Sequence, residues 1–139
     1  MKWLLIGLLT LLSGCVTFSL DNLTPATQVY AMQREFNDIY LPPIVTYVKK
    51  DFCDAGASPP VITNCADAKT VKALNTAAQE AGDAIKVAQG AVRAVGDACA
   101  VPESPQCSDT TQILAASIEA LRVVLAKVSG EFVKAGLDK

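Results

Sequence analysis

The sequence predicts an all-α fold: a disulfide-stapled antiparallel three-helix bundle whose first helix is kinked or broken at Pro42-Pro43. Three observations predict it. Apolar residues recur at alternating spacings of three and four through three stretches of similar length. Two Pro-rich segments separate those stretches, and each segment is bracketed by a pair of Cys. The chain has 139 residues, enough for one ordinary domain.

The bundle is expected to span 24–139. Thr24-Pro25 reads as a helix start, with Thr as N-cap and Pro in the first turn. Val29, Met32, Phe36 and Ile39 carry the apolar pattern onward. Pro42-Pro43 then removes two donors and crowds the preceding turn, which places a break or sharp kink near 39–42. A continuation over roughly 43–52 carries Ile44, Tyr47, Val48 and Phe52.

The segment 54–64 reads as a loop because Gly56, Ser58, Pro59 and Pro60 oppose regular structure. The second helix is expected over about 66–98. Val71, Leu74, Ala78, Ala81, Ile85, Ala88, Val92 and Val95 form a heptad seam. Ala77, Ala84, Ala91 and Ala98 lie beside it, which makes the buried face wide and small. Lys72, Gln79, Lys86 and Arg93 mark the solvated face. Gly82, Gly90 and Gly96 fall off the seam, each at a cost of about 1 kcal/mol relative to Ala. After a second loop over 100–106, Ser108 or Asp109 is the expected cap of the third helix, which runs to about 136. Its seam is Leu114, Ile118, Leu121, Leu125, Val128 and Phe132.

Cysteine geometry supports the same arrangement. Cys53, Cys65, Cys99 and Cys107 allow three pairings. A continuous second helix sets Cys65 and Cys99 about 50 Å apart at 1.5 Å per residue. A disulfide tolerates at most about 7 Å between Cα atoms. Only 53–65 and 99–107 survive that test.

Residues 1–14 do not belong to the bundle. Lys2 precedes a ten-residue apolar run, Trp3 to Leu12, too short to span a bilayer, which needs about 20 residues. The run ends in Leu12-Ser13-Gly14-Cys15. This tetrapeptide resembles the bacterial lipobox, and the leader looks like a lipoprotein signal peptide. The resemblance covers about a tenth of the chain. It implies cleavage before Cys15, S-diacylation of its thiol and acylation of the new amino group, commonly with palmitate. Burial of acyl chains is worth about 0.8 kcal/mol per CH2, and two chains suffice for stable attachment. Residues 15–23 then form a lipidated tether. Val16, where the enterobacterial pattern has an Asp in retained proteins, implies sorting to the outer membrane, facing the periplasm. Five Cys in so small a chain agree with an oxidising compartment.

Composition narrows function more than it names it. Lys plus Arg number 12 against 14 Asp plus Glu, which argues against a polyanion-binding module, and no nucleic-acid partner is expected. The absence of His removes the commonest general base and most zinc sites. The Cys sit in separate pairs, so no metal and no other cofactor is expected. Glu80, Asp83 and Asp97 read as a solvated face, since a straight Ala-lined bundle offers no cleft to shift a carboxylate pKa. An enzyme is therefore not expected.

Two features bear on partners. Phe18, Tyr30, Phe36, Tyr40, Tyr47 and Phe52 all lie in the first 52 residues. They read as bulky fillers for the small second-helix face, or, for Phe18 and Tyr30, as contacts to the lipid interface. The third helix also carries an outer apolar stripe: Ala116, Val123, Ala126, Gly130, Val133 and Leu137. A helix apolar on two sides is usually buried on two sides. Val123, Val133 and Leu137 are thus candidate contacts to an envelope protein or a second copy. The alternatives are cover by a bent first helix, a phage-type exclusion or inhibitor lipoprotein, and a carrier of a small apolar ligand.

Overall fold

A computed structural model describes residues 23–53 and 65–138. The leader, Cys15, the tether to residue 22 and the loop at 54–64 lie outside the described residues.

The described residues form a helical bundle without a β-strand. The first helical stretch comprises α1 (Pro25–Glu35), a π-helical turn (Phe36–Tyr40) and α2 (Leu41–Val48). Then follow α3 (Ala68–Ala98) and α4 (Pro105–Lys134). Of all element pairs, α3 and α4 make the largest contact.

Each of the three helical stretches starts on a side-chain cap. Thr24 Oγ1 accepts the Thr27 N–H at 3.3 Å, with Pro25 in the first turn. Asp67 Oδ2 accepts the Thr70 N–H at 2.7 Å and the Thr70 hydroxyl at 2.8 Å. Ser104 Oγ accepts the Cys107 N–H at 3.1 Å. The last differs from the Ser108 or Asp109 cap expected from sequence. Ser104-Pro105 repeats the Thr24-Pro25 pattern, and Pro105 starts the helix instead of delaying it. At the far end α4 closes on Gly136 at φ +68°. There the Gly136 N–H donates to Val133 O at 2.9 Å and the Leu137 N–H to Phe132 O at 3.1 Å. This pair of bonds is a Schellman closure, which needs a left-handed residue that Gly supplies without a Cβ penalty.

The first stretch departs from the sequence expectation at Ile39. That residue is 56% exposed, whereas Phe36 is 5% exposed and Tyr40 packs against the core. The inward residues are Val29, Met32, Phe36, Tyr40 and Ile44, spaced three, four, four and four. A strict heptad would return to three after Phe36. The π-helical turn absorbs the extra residue, with the Leu41 N–H bonded five residues back to Phe36 O. Pro42 and Pro43 sit in the first turn of α2, where they cannot donate to the carbonyls of Asp38 and Ile39. Helical geometry continues to Val48, short of the expected 52. Phe52 is exposed, and an isolated bridge joins it to Ala66.

The α3 and α4 seams pack inward. Leu114, Ile118, Leu121, Leu125, Val128 and Phe132 are all buried. Opposite them lie Leu74, Ala77, Ala81, Ile85, Ala88 and Ala91. The buried α3 face is made mostly of Ala. Tyr40 meets Phe132 edge to face at 5.3 Å between centroids, and Phe36 is buried in the same core. Lys72, Gln79, Lys86 and Arg93 face solvent.

Both disulfides expected from geometry are present. Cys53–Cys65 spans 4.9 Å between Cα atoms and Cys99–Cys107 spans 4.6 Å. Each closes the connection between successive helical stretches.

Candidate interaction face

The outer side of α4 follows from the same periodicity that builds its core. Half a turn away from the Leu121 seam stand Ala116, Val123, Ala126 and Gly130, all exposed. Val123 is 62% and Val133 54% exposed. A Cβ placed on Gly130 would meet nothing within 4 Å, so no other part of the described chain covers that position. Leu137 does not join it. The Schellman closure turns Leu137 back onto the core, where it is half-buried. Of the three candidate contacts, the structure places two on the open face and one under the C-terminal cap.

Some exposed apolar residues were not picked out by the sequence pattern, two of them on the long helices. Val87 of α3 and Ile113 of α4 are both exposed large apolar side chains. The available signal was that each is β-branched and apolar but falls off its own heptad seam. The Glu80–Lys127 ion pair and the Cys99–Cys107 bond fix the α3–α4 register. Ala94 and Ala120 are exposed as well.

Several charged residues near this face are paired with one another at the surface. Glu80 pairs with Lys127 across the two helices. Asp83 pairs with Lys86 at 3.5 Å on the α3 surface, and Glu131 with Lys134 at 2.7 Å. Such exposed pairs contribute about 0–1 kcal/mol each. Asp67 is held below the usual carboxylate range, chiefly by the Thr70 N–H and then by the Thr70 hydroxyl. That is the signature of an N-cap, not of an acid–base pair. Among the described residues no group of three or more His, Cys, Asp or Glu is placed to hold a metal ion. Among them, too, no helix is long and apolar enough to cross a membrane.

Between the first stretch and α4 runs a shallow cleft of about 300 Å³, lined by Met32, Glu35, Tyr40, Arg122, Leu125, Ala126 and Ser129. The Tyr40 hydroxyl donates to Glu35 Oε1 at 3.3 Å, and Arg122 Nη2 donates to Gln28 Oε1 at 3.1 Å. The Arg122–Gln28 bond ties α4 to the first stretch, while the Tyr40–Glu35 bond lies within that stretch.

No protein family, curated protein or solved structure matches this chain.

Proposed function

We propose that the protein is a membrane-anchored lipoprotein of the bacterial cell envelope that works as a non-catalytic binding or assembly module. In this reading Cys15 carries the lipid, Val16 directs the protein to the outer membrane, and the bundle faces the periplasm. The partner is another envelope protein, met through the outer face of α4. The observation that carries the module reading is that face: Val123 and Val133 stand exposed beside uncovered Gly130. Two disulfides, each closing a short connection, support an oxidising compartment.

The bundle in this reading is antiparallel, up-down-up. Three pairs support it: Glu80 with Lys127, Gln89 Nε2 donating to Gln33 Oε1 at 2.7 Å, and the Asp67 N–H donating to the Tyr47 hydroxyl at 3.2 Å. In this reading the first stretch also bends where the π-helical turn meets Pro42-Pro43, which is supported by the packing of Tyr40 and Ile44 on the core. A rigid two-disulfide body on a lipid tether suits a protein that holds a partner at the membrane surface.

The test is crosslinking in intact cells of the native chain, a Val123→Lys variant and a Cys15→Ser variant. The expected result is one dominant envelope partner, lost in both variants, with palmitate labelling lost only in Cys15→Ser. Unchanged crosslinks and unchanged solution mass in Val123→Lys would remove the α4 face from the proposal.

A further inference from the structure

We propose that the disulfide-closed turn between α3 and α4 is the membrane-facing end of the protein, with Val101 resting on a zwitterionic phospholipid surface; this rests on the Cys15 anchor proposed above and states which end that anchor holds down.

Four contacts orient the bundle. On α3, Tyr47 meets Asp67 and Gln33 meets Gln89. Moving toward the start of the first stretch therefore moves toward Cys99. On α4, Tyr40 meets Phe132 and Gln28 meets Arg122. The same movement there runs toward Cys107. Leu23 and the Cys99–Cys107 bond thus share one end, while Cys53–Cys65 and the Gly136 closure lie at the other.

Covalent reach decides which end meets the bilayer. Eight residue steps lead from Cys15 to Leu23, a span of at most about 29 Å. The first helical stretch, Pro25–Val48, is about 36 Å long at 1.5 Å per residue. An upright bundle with Cys53–Cys65 against the membrane would hold Leu23 beyond the reach of the tether. With the other end down, nothing limits contact.

That end is built to project. The fully buried core stops at Ala91 in α3 and starts at Leu114 in α4. The last seven residues of α3 run on for about 10 Å. At the tip Val101 is 67% exposed between exposed Ala100 and Pro102. The turn is fixed by the disulfide and by Ser104 Oγ, which caps α4 and donates to Ala98 O at 3.2 Å. Glu103 holds the bend at φ +68°. A rigid apolar tip loses little conformational entropy when it docks. Its exposed charges are Asp97, Glu103 and Asp109 against Arg93, so an anionic surface would repel it and a zwitterionic one would not.

The only Trp lies in the leader, so an acylated, processed chain offers a dark background for a single Trp. Val101→Trp and Phe52→Trp place that probe at the two ends, both on exposed side chains. The acylated full chains are bound to phosphatidylethanolamine–phosphatidylcholine vesicles carrying brominated acyl chains. Vesicle co-sedimentation and protein mass are read alongside. The expected result is severalfold stronger quenching of the residue 101 probe, weakened when phosphatidylglycerol is added. Equal quenching at both ends, or stronger quenching at 52, overturns the orientation while the anchor stands. A chain that is neither acylated nor sedimented removes the anchor and this orientation together.

Discussion

The phase change in the first helical stretch predicts opposite outcomes for two neighbouring apolar residues. Phe36 is 5% exposed in the core, and its truncation to Ala removes a buried ring and leaves a cavity. Phe→Ala changes of this kind cost about 3–5 kcal/mol. Ile39 is 56% exposed, so less than half of its side chain leaves water on folding. Full burial of Ile is worth about 1.5–3 kcal/mol, and the partial burial here is worth about 0.7–1.3 kcal/mol, part of which Ala retains. Ala is also the better helix former, by a few tenths of a kcal/mol or about 0.4. Ile39→Ala is therefore expected to leave stability nearly unchanged. In an unbroken α-helix Ile39 would complete the seam after Phe36, and the same change would cost about 2–5 kcal/mol. The assay is urea unfolding followed by far-UV circular dichroism, with both disulfides intact. The midpoint should fall steeply for Phe36→Ala and hold for Ile39→Ala, at constant m value. A loss of about 2 kcal/mol or more in Ile39→Ala would refute the π-helical phase shift.

Two further outcomes follow from the connections and caps. Replacing Cys99 and Cys107 together by Ser opens a short loop and should lower stability by about 2–3 kcal/mol in the chain-entropy model, read as a shift of the urea midpoint. Cys53–Cys65 closes a slightly longer loop and should cost marginally more. Asp67, whose folded-state pKa is depressed by the Thr70 donors, contributes stability that is present above its unfolded pKa and is lost as pH falls through the lower folded value. Asp67→Ala should therefore lower Tm at neutral pH and flatten the acid limb of the stability profile, and an unchanged acid limb would exclude the cap as its source.

Much of the bundle was legible because its signals are local or purely geometric. The α4 seam was read residue for residue, since one unbroken helix with large apolar residues at three-four spacing has a single face to bury. The disulfide pairing was legible because a long straight helix forbids every alternative, whatever the packing. The start of the first helix was equally plain in Thr24-Pro25. The same pattern at Ser104-Pro105 was hidden by its position between Pro102 and Cys107, where it read as loop. Only the backbone geometry of Ser104 and its bond to the Cys107 N–H show the helix starting there.

The candidate face was legible in part. Val123 and Val133 stand where the outer stripe put them, while Leu137 turns inward because Gly136 takes up a left-handed conformation. Nothing in a three-four pattern announces that reversal. Val87 and Ile113 went unmarked because each falls off the seam of its own helix.

The sequence by itself determined three helical stretches, their connections, their disulfides and most of the core. Those depend on helical periodicity, on Pro and Gly, and on the rigid length of α3, all properties of short segments. The tertiary structure decided which side of the first stretch is buried past Phe36, where the C-terminal residues turn and which apolar residues remain uncovered. Those depend on packing against neighbours distant in the chain, where one extra residue in a turn rotates every side chain that follows.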